Sequence, residues 1–150
     1  MDEKRYSLVL AAGYTERYWR IRIFPQEKEN IDNFMRHEVM GPYESADWVF
    51  PDLKEKGIAV FINADDHCLN LDPNFIAKDK EGKDVLINGN ILFLHQEGSA
   101  YTALDTEEIN AILRDHQTSV TEVRACLCYD EVNGKILPEK ELIGIVKDRV

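Results

Sequence analysis

Apolar and polar positions change period several times along this chain, and each change marks an element. Tyr6 to Ala11 is an apolar run, YSLVLA, which suits a strand, and Gly13 with Thr15 supplies a turn after it. From Arg17 to Phe24 the pattern alternates. Trp19, Ile21 and Ile23 fall on one face and Tyr18, Arg20 and Arg22 on the other, the period of two of a half-buried strand. The short connection makes the two runs a β-hairpin, and Pro25 ends the second because it cannot donate to a ladder.

The period then lengthens. Ile31, Phe34, Met35 and Glu38 or Val39 recur at helical spacing over Lys28 to Val39, and Gly41-Pro42 provides the stop. Trp48-Val49-Phe50 is a short apolar run before Pro51 and a charged turn, DLKEKG. Ile58 to Ile62 is apolar without alternation, as expected of a strand covered on both faces. Asn63 to Asn74 reads as a polar loop, Phe75 to Ala77 as a short strand and KDKEGK as a second charged turn. Val85 to Leu94 reads as one long strand with a glycine bulge at Asn88-Gly89, in preference to a hairpin with two very short arms.

The clearest local signal is Leu104-Asp105-Thr106-Glu107-Glu108-Ile109. Asp105 can cap the first free amides of a helix, Glu108 sits three positions on, and Leu104 with Ile109 can form the hydrophobic staple. Ile109, Ile112 and Leu113 then form the buried stripe of a helix ending near His116. Val120 to Tyr129 alternates in favour of a strand, Asn133-Gly134 signals a hairpin, and the tail ELIGIVKDRV fits a strand or a short helix. The pattern predicts an α+β fold: a mixed or antiparallel β-sheet with about two helices packed on one face, formed by residues 1–116, and a C-terminal extension, 117–150, packed on the same domain.

Composition sharpens this. A chain of 150 residues, 44% hydrophobic and 31% charged, is long enough for one core of ordinary globular kind. The opening apolar stretch is shorter than a signal peptide requires, and the longest charge-free stretch, Val85 to Gln96, is far shorter than a membrane span. Cys68, Cys126 and Cys128 are an odd number of cysteines. These features point to a cytoplasmic protein with reduced thiols and no membrane partner.

The net charge of -10 argues against direct nucleic-acid binding through bulk charge, and it is unevenly spread. Residues 58–117 hold 11 acidic and 4 basic residues and so carry seven of the ten excess charges. Their turns hold the residues expected to meet a basic partner surface: Asp65, Asp66, Asp72, Asp79, Glu81 and Asp84.

Other chemistry is sparse. Asp65-Asp66-His67-Cys68 lacks the spaced partners of a zinc site and the glycine and terminal glutamate of a calcium loop, so no metal and no cofactor are expected. Cys126-x-Cys128 is not the redox or zinc spacing. His37, His95 and His116 have no adjacent nucleophile, His67 directly precedes Cys68, and no phosphate-binding glycine loop or nucleophile elbow occurs.

From Arg17 onward the order of pieces resembles a family of bacterial domains of unknown function found largely in phage and mobile-element proteins. The resemblance rests on the helix ENIDNFMRHEVMG, the strand ending in Asn63 to Asp66, the segment Leu71 to Asn74, Gly89 and the capped helix at Asp105 to Glu108. It covers residues 5–116, with Gly41-Pro42 and a polar insert where the family has paired glycines. It implies a non-enzymatic accessory protein, and the acidic turns then suggest inhibition of a host nucleic-acid-binding or defence protein through a basic surface. Two alternatives stand beside it. One is a small-ligand module with a pocket between helix 28–39 and the sheet, lined by Trp19, Tyr43 and Trp48; the other is an enzyme using His67 and Cys68. Exposed strand edges would also allow a homodimer.

Overall fold

The computed structural model describes residues 5–12, 17–65, 71–116, 122–123, 129–130 and 135–136. Asp66, His67, Cys68, Cys126, Cys128 and the Asn133-Gly134 signal lie outside them, as do the ELIGIVKDRV tail and the side chain of Leu113.

The first hairpin forms as the alternation requires. Strands β1 (Tyr6–Ala12) and β2 (Arg17–Ile23) pair antiparallel from Tyr6 opposite Ile23 to Ala12 opposite Arg17. A 3-10 turn at Lys28–Asn30 leads into α1 (Ile31–Val39). Its left-handed terminator is Met40, at φ 68°, one residue before the expected Gly41, whose amide donates back to the Arg36 carbonyl. A three-residue edge strand, β3 (Tyr43–Ser45), follows.

The charged turn expected after Pro51 is instead a short helix, α2 (Pro51–Glu55). Pro51 occupies its first turn, where a missing amide hydrogen costs nothing, and Leu53 is its buried anchor. Strand β4 (Ile58–Asn63) is buried at every residue. Strands β5 (Pro73–Lys78) and β6 (Asp84–Asn88) form a separate two-stranded hairpin.

The run from Val85 to Leu94 is not one bulged strand. It divides at Gly89-Asn90 into β6 and β7 (Ile91–Glu97), which join different sheets. Gly89, at φ 86°, makes the change of direction, and the Leu71 side chain fills the space where a β-carbon would stand. Strand β8 (Ala100–Thr102) returns along β7, and α3 (Thr106–His116) follows. The short strands β9 (Glu122–Val123), β10 (Tyr129–Asp130) and β11 (Lys135–Ile136) complete the described elements.

The main sheet has seven strands in the order β3-β4-β7-β1-β2-β9, with β8 also on β7. Its pairs are antiparallel except that β9 runs parallel to β2. Both faces are covered. On one face α1 places Met35 and Val39 against Val9, Ala59, Phe61 and Leu92. On the other, Leu53 of α2, Ile109 and Ile112 of α3, and Ala77 and Ile87 of the β5-β6 hairpin pack on Leu8, Trp19, Val60 and Phe93. The architecture is therefore α+β, with α2 and α3 on one face and α1 on the other. No helix among the described residues is long and apolar enough to cross a membrane.

Candidate functional site

Two buried polar systems fix how the layers meet. Arg22, on the β2 face turned toward α1, reaches Glu38 at 3.0 Å. At one end of the sheet, Asn63 donates to the Val39 carbonyl and Asn90 to the Glu38 carbonyl, tying the last turn of α1 to β4 and β7. The Asn90 side chain also accepts from the Ala12 amide, while Asn74 donates to the carbonyls of Leu10 and Gly89. The asparagines thus satisfy backbone groups of the strands and of the helix end that would otherwise lack partners.

The start of α3 is built as its sequence requires. Glu108 receives the Asp105 amide at 3.0 Å and its own amide donates to the Asp105 carboxylate at 2.7 Å, a reciprocal capping box. The same Glu108 lies 2.8 Å from His95 Nδ1 on β7 and so fixes the imidazole ring. Among the described residues no hydroxyl or thiol hydrogen-bonds His95. Nor does any group of three or more metal-ligating side chains occur among them.

An open concave surface among the described residues lies elsewhere, between α2 and the turn of the β5-β6 hairpin. A groove of about 630 Å³ is lined by Asp47, Trp48, Pro51, Lys54, Glu55, Lys78, Asp79, Lys80 and Gly82. An adjoining depression of about 540 Å³ shares Asp47, Trp48, Asp79 and Lys80 and extends to Ser45 and Glu81. Volumes of several hundred Å³ suit a small ligand. The turn that forms one wall is held by Asp79, whose carboxylate accepts the amides of Glu81 and Lys83 at 2.8 and 2.9 Å. The other wall is held by α2 and by Trp48, half-buried against the core.

The charges of the groove are partly matched. Lys54 pairs with Asp47 at 2.9 Å and Lys78 with Asp84 at 2.8 Å. The Lys54 ammonium, and Lys80 more weakly, hold the Asp47 carboxyl below the usual carboxylate range, and Asp84 raises the Lys78 ammonium above its own. Lys80 forms no ion pair with a carboxylate among the described residues. Among the described residues it is the groove lysine that makes no close ion pair, its charge acting on Asp47 from farther away.

The residues expected to line a pocket under helix 28–39 are not brought together. Trp19 is fully buried in the core against Phe93, with ring centroids 5.5 Å apart. Tyr43 stands on the opposite face of the sheet, packed on Phe61 and donating to Asp32 at 2.6 Å. The space between α1 and the sheet is filled by Phe24, Met35 and Phe61. Of the three, Trp48 lines the open groove.

The acidic residues also separate. Asp79, Glu81 and Asp84 surround the hairpin turn, where Lys78, Lys80 and Lys83 leave residues 78–84 neutral overall. Asp65 and Asp72 are exposed and sit at the other end of the sheet, near Asn63 and Gly89. A six-residue strand at roughly 3.3 Å per residue puts Asp72 about 20 Å from that turn. Asp47, Pro51, Lys54, Lys80 and Gly82 were not expected at a site. The proximity of Trp48 to Pro51 was the local hint.

No protein-family model matches the chain, and no curated protein or solved structure matches it.

Proposed function

We propose that the chain is a binding module whose ligand occupies the groove between α2 and the β5-β6 turn. The observation that carries this reading is the pairing of a half-buried indole, Trp48, with an ammonium, Lys80, that makes no close ion pair among the described residues, in the same concave surface. An aromatic wall beside such a cation favours a small molecule with a flat apolar body and one anionic group. Asp47 and Asp79, held by Lys54 and by the turn amides, disfavour a second anionic group.

A thermal-shift screen comparing nucleoside monophosphates and aromatic carboxylates with their uncharged parents tests this. Ligands that bind the folded state raise Tm by mass action. The charged members should raise it, and Lys80→Glu should abolish the rise. No rise with any member, or a rise that Lys80→Glu leaves intact, would contradict the reading.

The second reading, a protein partner with a basic surface, is supported by the exposed Asp65 and Asp72 at one end of the sheet. It requires capture of the partner to weaken with added salt and to fail when both residues are reversed to Lys. The phage or mobile-element setting belongs with this reading.

A further inference from the structure

The outward face of the β5-β6 hairpin carries a pattern that folding of one chain does not explain. Ile76 and Leu86 are directly opposed across the two strands and are 62% and 48% exposed, while Ala77 and Ile87 on the inward face are buried in the core. The next pair on the outward face is Lys78 opposite Asp84, joined by an ion pair at 2.8 Å. An apolar pair therefore adjoins a pair of opposite charges, with one member of each on each strand.

This arrangement is complementary to itself. A two-fold axis parallel to the strands, lying between two such faces, sets β5 of one copy over β6 of the other and keeps the level along the strand unchanged. Ile76 then meets Leu86 of the second copy, and Lys78 meets its Asp84, twice over. We propose that this face docks a second copy of the chain. Charge complementarity selects that occupant: an unrelated apolar partner would leave Lys78 and Asp84 without new partners, whereas a second copy supplies both. The face of a short hairpin is smaller than the roughly 800 Å² per partner of a standard interface, so the dimer is weak and concentration-dependent.

Sedimentation velocity on the full chain from about 10 µM to about 1 mM spans the range in which a small interface associates. The weight-average mass should rise toward that of a dimer. Leu86→Lys should leave a monomer throughout. Lys78→Asp should weaken association about tenfold by setting like charges face to face, and adding Asp84→Lys should restore it, because the exchanged face is again complementary to itself. A monomer at every concentration would overturn the proposal. So would a dimer that Leu86→Lys leaves intact, or one that the double exchange fails to restore. Because all three positions are exposed, circular dichroism should show every variant folded.

Discussion

Arg22 and Glu38 meet at 3.0 Å between α1 and the sheet, with each side chain only 2% exposed. Two charges removed from water are tolerable only as a pair, because either one left alone bears the full desolvation cost. Glu38→Ala should therefore destabilise the fold by about 3–5 kcal/mol, whereas replacing both partners by Met and Leu should be close to neutral. Urea unfolding of the two variants checks this. Equal losses would mean that packing, and not charge, governs the contact.

The asparagine clamp should be comparably sensitive at one position. Asn90→Leu removes the donor to the Glu38 carbonyl and the acceptor of the Ala12 amide together. Leaving buried backbone groups unpaired costs about 1–3 kcal/mol each at most. Hydrogen exchange at the Ala12 amide should quicken more than at β4 amides in this variant; uniform quickening would point to global destabilisation only.

Gly89 combines a left-handed backbone with a steric limit. A β-carbon there would lie 2.7 Å from Leu71 Cδ1. Gly89→Ala should destabilise by more than the roughly 1–2 kcal/mol of the backbone conformation alone. Trimming the neighbour with Leu71→Ala should lower the further cost of Gly89→Ala to about that range. Thermal unfolding of the four-member cycle reads the coupling.

On the exposed side of α1, Tyr43 donates to Asp32 at 2.6 Å and Arg36 at 2.9 Å. The hydrogen bond from the Tyr43 hydroxyl, and then the hydrogen bond and charge of the Arg36 guanidinium, hold the Asp32 carboxyl below its ordinary value, while Asp32 raises the Tyr43 phenol. The sign follows from each direction. The Asp32 contribution to stability is present above its unfolded value and is lost as pH falls through the lowered folded value. The Tyr43 contribution is present below its unfolded value and is lost as pH rises through the raised one. Tyr43→Phe should move the Asp32 titration, followed by NMR, upward toward 3.8. No movement would assign the effect to Arg36.

What was legible in the sequence is what local chemistry decides. The alternation of Trp19, Ile21 and Ile23 placed β2, the unbroken apolar run at Ile58 placed a strand covered on both faces, and Asp105 with Glu108 placed the start of α3. Features set by distant contacts were not legible. Charge in DLKEKG concealed α2, whose burial rests on Leu53 alone among those six residues. Asn88-Gly89 marks a break that a bulge or a turn explains equally well, and nothing local shows that β6 and β7 join different sheets. Arg22 and Glu38 carry charges that ordinarily mark an exposed face. The groove joins Asp47-Trp48 to Lys78-Gly82, about thirty residues apart, and only the packing of the hairpin beside α2 brings them together.

The binding role of that groove is tested most directly by a ¹H-¹⁵N NMR titration with the flat anionic compounds named above. The account predicts that shifts cluster at the Trp48 indole N-H and the amides of Asp47, Lys80 and Gly82, and vanish in Lys80→Glu. Shifts centred elsewhere, or none with any compound, would contradict it.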